Sequence, residues 1–180
     1  MDSIKKVNKK VLESSSKENK NPVHGVDEER WKVYHAFVEI LAAKSDIEIK
    51  KILNEFTEND FMAMPIVLDL VSYKKNDLLK WLYEKNMPLT YQEWDGGNAL
   101  HVACGAGGSL ECVKFLIENN IQNDINKEST KFGDTPLTLA LSYGHRDIVD
   151  YFSKKFAVDS VSLRHLYVII DRVIANRDRS

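Results

Sequence analysis

Apolar residues recur along this chain in short stripes at helical spacing, separated by small polar turns. Ile148, Val149 and Phe152 form one such stripe. The segment Leu141–Phe152 aligns without a gap on Val71–Leu82, pairing Ser142-Tyr143 with Ser72-Tyr73 and Gly144 with Lys74. Val67, Leu100 and Leu137 then stand as equivalent anchors, 33 and 37 residues apart. Self-similarity at such a period predicts stacked units that share one core. Upstream, Trp31, Tyr34, Phe37, Val38, Leu41 and Ala42 predict a further helix, with Asp27 as its N-cap and Glu28 and Glu29 at its positive end. Near the other end, Leu163, Leu166, Tyr167, Ile169, Ile170, Val173 and Ile174 share one face. Arg164, Asp171 and Arg172 lie off it, which predicts a closing helix within 160–176 with a polar outer wall.

The turns carry a motif. Gly133-Asp134-Thr135-Pro136-Leu137-Thr138-Leu139-Ala140 is followed by Gly144-His145-Arg146-Asp147-Ile148-Val149. A looser copy reads Gly96-Gly97-Asn98-Ala99-Leu100-His101-Val102-Ala103, then Gly108-Ser109-Leu110-Glu111-Cys112-Val113. This resembles the ankyrin repeat, a turn plus two antiparallel helices stacked side by side. The resemblance implies an all-α solenoid of about four to five helix-turn-helix units, atypical end caps included. Ala42–Leu53 is similar to the family's passage from first to second helix, with Ser45 where glycine is usual. The four residues that separate the two spacings fall in Gly105-Ala106-Gly107-Gly108 and in 120–132, which holds Asp124-Ile125-Asn126, similar to the family's Asp-Val-Asn.

Elementary chemistry explains the motif. Thr135 suits the N-cap, Pro136 the first helical position, and Gly144 the reversal after the short helix. Leu137 and Ala140 are expected to face inward, so that Leu137→Ala costs ~2–5 kcal/mol. Asn98-Ala99 is expected to cap less well than Thr-Pro. The earliest copy, Ala63-Met64-Pro65-Ile66, has lost the glycine and the Thr-Pro, so a different turn is expected there.

Composition adds limits. Residues 1–26 are rich in lysine, serine and asparagine and poor in apolar side chains, which predicts a disordered arm before an ordered domain over 27–176. The 43% hydrophobic and 29% charged content is that of an ordinary soluble domain. A net charge of −2 argues against bulk attraction to nucleic acid. No apolar run approaches the roughly 18 residues of a membrane span. The two cysteines, Cys104 and Cys112, fit a reducing compartment, so a cytoplasmic or nuclear location is expected.

Candidate chemistry is sparse. Cys104 lies one helical turn after His101, the spacing of a nucleophile–base pair, but no third group is placed to orient the imidazole. The resemblance instead assigns His101 to hydrogen bonds that tie neighbouring turns, and Cys104 to a small buried position. His24, His35, His145 and His165 have no metal-site spacing, and there is no phosphate loop; Gly105–Gly108 follows a helix rather than a strand. Lys5-Lys6 with Lys9-Lys10 is a candidate basic patch, and Lys17-Glu18-Asn19 resembles a short destruction motif of cell-cycle proteins, a pattern that also recurs by chance. The expected role is therefore non-catalytic, with no cofactor, metal or small-molecule substrate.

The resemblance further implies docking of a protein partner through turn tips and first helices, as an adaptor, an inhibitor or a regulatory subunit, or as a pathogen protein that occupies a host target. Carried over by position, the docking residues are Trp94, Asp95 and Gly97 in one turn, and Lys131, Phe132 and Asp134 in the next. Ser142 and Tyr143, with their equivalents Ser72 and Tyr73, supply the inner helices, and Phe61, Met62 and Met64 fall at the early turn. Aromatic residues in such places are the usual energetic anchors of an interface.

Overall fold

The computed structural model of the chain describes residues 28–93, 96–121, 126–129, 133–156, 168 and 171. Among them every named element is an α-helix, and extended residues pair only in an isolated antiparallel bridge between Gln92 and Asn98. The chain divides into two compact units, Met1–Tyr91 and Gln92–Ser180.

The first unit opens with α1 (Glu28–Leu41) and α2 (Asp46–Leu53). The buried stripe of α1 is Val33, Tyr34, Ala36, Phe37 and Leu41, while Ala42 is exposed, one position past the helix end. Ser45, where glycine was usual, caps α2: its hydroxyl accepts from the Glu48 backbone N–H, and the Glu48 carboxylate accepts from Ser45 N–H at 3.3 Å. Those bonds from Ser45 hold the exposed Glu48 carboxyl below its ordinary value.

Next comes a short helix, α3 (Glu58–Ala63), in the place where the sequence had lost its turn signals. Thr57 and Asp60 explain it, since they form a second reciprocal capping box. Arg30 of α1 clamps the same carboxylate through both its oxygens and also donates to the Glu55 carbonyl at 3.2 Å. Burial alone would raise the Asp60 carboxyl, but the bonds from Arg30 and Thr57 outweigh it and hold it low. The helix turns Phe61 inward against Phe56, which in turn meets Phe37, with ring centroids 6.3 and 5.6 Å apart. Then α4 (Ile66–Ser72) packs on α1 and on α5 (Asn76–Glu84). Val67, Leu70, Leu78, Leu79 and Leu82 fill the space between them.

The second unit contains α6 (Ala99–Cys104), α7 (Leu110–Glu118), α8 (Pro136–Ser142) and α9 (Arg146–Lys155). Helix α6 packs on α7 and α8, and α9 packs on α7 and α8, which is two turn–helix–helix layers side by side. Thr135 and Pro136 start α8 as their chemistry requires, with Thr135 accepting from Thr138 N–H at 3.1 Å. Ile148, Val149 and Phe152 are fully buried, as is Ala140. Leu137 is not: it remains partly exposed, against the inward placement expected for it. The predicted closing helix at 160–176 lies outside the described residues except for Val168 and Asp171, both helical; the Asp171 carboxylate pairs with Arg146 of α9. The lysine-rich arm likewise lies outside them.

The repeat extends to individual hydrogen bonds. Lys74, Asn86, Asn120 and Gly144 each follow a helix with positive φ, at 56°, 57°, 53° and 74°. The next N–H returns to a carbonyl five residues back: Lys75 to Leu70, Met87 to Leu82, Ile121 to Leu116 and His145 to Ala140, all at 2.8–3.0 Å. The gap-free pairing of Lys74 with Gly144 is therefore a pairing of conformation, even though lysine pays a steric cost there that glycine avoids.

Candidate functional site

The turns that precede α6 and α8 are adjacent. In the first, Glu93 N–H reaches the Gly97 carbonyl at 2.8 Å and Gly96 N–H the Glu93 carbonyl at 2.9 Å. In the second, Ser129 N–H bonds the Asp134 carbonyl and Gly133 N–H the Ser129 carbonyl, both at 2.9 Å. A Cβ on Gly96 would stand 3.4 Å from the Glu128 carbonyl oxygen, so the two turns touch. His101 fastens them as the resemblance implied, its Nε2 lying 2.9 Å from the Lys127 carbonyl oxygen and its Nδ1 2.8 Å from Asn98 Oδ1. Asn98, expected to cap less well than Thr-Pro, does cap α6. Its Oδ1 accepts from Leu100 and His101 N–H at 3.1 and 3.2 Å, so one buried side chain starts the helix and orients the imidazole.

Of the residues carried over as docking candidates, Trp94, Asp95, Lys131 and Phe132 lie outside the described residues. Asp134 is half-buried beside its turn. Ser72 and Ser142 are exposed at the ends of α4 and α8, and Tyr73 and Tyr143 follow them at 42% and 36% exposure. At the early turn, α3 separates the candidates: Met62 is 66% exposed, whereas Phe61 and Met64 are fully buried and belong to the core. A six-residue helix presents only one of its sides to solvent, and sequence position alone had not revealed that a helix was there.

Tyr143 is anchored rather than loose. Its ring stacks on His145 with centroids 6.0 Å apart and planes 13° apart, and His145 Nε2 lies 2.8 Å from the Gly105 carbonyl oxygen. The glycine-rich segment between α6 and α7 accommodates this pair. Gly108 has φ of +46°, and a Cβ there would meet the imidazole at 2.6 Å. Gly108→Ala is expected to cost about 1–3 kcal/mol through backbone strain and the displaced ring. Adding His145→Ala should recover the steric part alone, which a double-mutant cycle of chemical denaturation would reveal as a coupling between the two sites.

The thiol–imidazole pair is not assembled for catalysis. Both ring nitrogens of His101 face oxygens of other residues, and Cys104 is completely buried. Burial pushes the Cys104 thiol far above its ordinary value, and the Cys112 thiol up to about 12. Both thiols are expected to react with iodoacetamide only at the unfolding rate at pH 8. Native-state labelling of Cys104 within minutes would contradict that. Among the described residues no group of three or more His, Cys, Asp or Glu is placed to hold a metal ion, and no helix is long and apolar enough to cross a membrane.

Comparison with known proteins agrees with this geometry. A family model of ankyrin repeats (3 copies) matches residues 68–161. An ankyrin repeat protein of Rickettsia bellii (strain RML369-C) is 71% identical over 98 residues, which make up 54% of this chain and 82% of that relative. Ankyrin repeats generally mediate protein–protein interaction, and the family is typically non-catalytic.

Proposed function

The chain belongs to the ankyrin-repeat family, and from that premise we propose that it works by holding a protein partner against its turn tips and first helices. The observation that carries this reading is the exposed Ser-Tyr pair at the end of the first helix, present as Ser72-Tyr73 in one unit and Ser142-Tyr143 in the other. A tyrosine loses few rotamers on docking and brings both apolar area and a hydroxyl. A surface set by packed helices and hydrogen-bonded turns also loses little entropy when a partner binds. On this reading the protein is an adaptor, a stoichiometric inhibitor or a regulatory subunit. The two free, buried thiols support a cytoplasmic or nuclear setting.

Affinity capture tests the proposal, with the wild-type chain run beside Tyr73→Ala/Tyr143→Ala. The variant should melt within a few degrees of wild type and lose the captured protein. Equal capture by a folded variant would overturn the docking reading. The bacterial source of the relative favours a second version, in which the partner comes from a host cell. Capture from host-cell extract but not from extract of the producing organism would support that version.

A further inference from the structure

We propose that the face of α1 and α4 around Asp69 receives an arginine-bearing segment of the protein partner. This deepens the docking reading above and rests on it. The first observation is a break in the repeat. Two residues beyond the anchors Val67, Leu100 and Leu137 stand Asp69, Val102 and Leu139, all partly exposed. Two copies place an aliphatic side chain there and one a carboxylate.

The surroundings of that carboxylate suit a cation. The Tyr34 hydroxyl donates to Asp69 Oδ2, tying α1 to α4. Tyr34 belongs to a cluster of rings: Trp31 and Tyr34 meet edge to face at 5.3 Å, and His35 lies 5.8 and 5.5 Å from the two. Tyr73, one turn beyond Asp69, is exposed. Among the described residues no lysine or arginine forms an ion pair with Asp69. The contrast is Asp60, whose carboxylate Arg30 clamps within the same unit. Burial pushes the Asp69 carboxyl above its ordinary value, with Tyr34 and His35 offsetting part of that. A neutral or acidic partner would bury this carboxylate further without compensation. A guanidinium can bond both carboxylate oxygens while stacking on aromatic faces. The Trp31 indole N–H is buried and has no hydrogen-bond partner among the described residues.

The test is an amide-resolved NMR titration of the full chain with capped tri-arginine, tri-citrulline and tri-glutamate peptides. Tri-arginine should shift the Tyr34, His35, Asp69 and Tyr73 signals, and the other two should not. Asp69→Leu, which restores the aliphatic residue of the sister repeats, should weaken tri-arginine binding at least tenfold. Asp69→Asn, which keeps an acceptor for Tyr34, should do the same if the leucine variant fails to fold. Shifts confined to other residues, or unchanged affinity in a folded Asp69 variant, would overturn the proposal. A partner retained by Asp69→Leu but lost by the double tyrosine variant would also overturn it, yet leave the docking reading intact. A partner retained by both variants would overturn the docking reading itself, and the site proposal that rests on it.

Discussion

Phe61→Ala is expected to lower the unfolding free energy by about 3–5 kcal/mol, while Met62→Ala, one residue on, changes it by less than ~0.5 kcal/mol. The two side chains leave the same short helix in different directions. Phe61 is fully buried between Phe56 and the core of the first unit, and Met62 is 66% exposed. Truncating Phe61 removes the burial of a whole ring and opens a void that the capped, ion-paired α3 is ill placed to collapse into, because Thr57, Asp60 and Arg30 fix where it starts. Such a loss is a large share of the stability of an ordinary domain. Urea denaturation followed by circular dichroism checks it. Similar costs for the two variants would mean that residues 58–63 are an exposed turn after all, and would return Phe61 to the docking surface.

That contrast marks where the sequence was legible. At α8 every local signal agreed: glycine before the turn, threonine at the cap, proline at the first helical position, and a stripe behind them. The fold there followed from reading the residues. At α3 the family's turn signals were missing, and what replaced them was also written locally, as Thr57 and Asp60 three residues apart ahead of an apolar residue. The capping box was readable, but a search for a glycine turn passes over it. Asn98 shows a different limit. Judged alone it is a modest substitute for Thr-Pro, because its bond to His101 depends on the imidazole being held from the other side by the Lys127 carbonyl, 26 residues later. Long-range partners of this kind leave no periodic trace. The docking residues were legible as positions but not as exposures, since the repeat alignment fixes which residues are equivalent and says nothing of which neighbour covers each ring. Asp69 was visible as a charged residue in an apolar column. Its setting required knowing that Tyr34, on another helix, donates a hydrogen bond to it.

Leu100→Ala should cost about 2–5 kcal/mol and its repeat equivalent Leu137→Ala about 1–2 kcal/mol. Sequence alone predicts equal costs, because the two leucines occupy the same place in the motif and start the same short helix. The structure separates them. Leu100 is completely buried in a helix that packs on α7 and on the following first helix, α8. Among the described residues no further first helix follows α8, and Leu137 stays partly exposed. A completely buried leucine loses more apolar contact and leaves a larger void on truncation than one that keeps part of its surface in water. For a chain of this length each kcal/mol lowers Tm by about 2–4 °C, which puts the two variants far enough apart for calorimetry to resolve. The ordering is the sharp part of the prediction. A Leu137→Ala cost equal to that of Leu100→Ala would break the link between exposure and cost at these two positions.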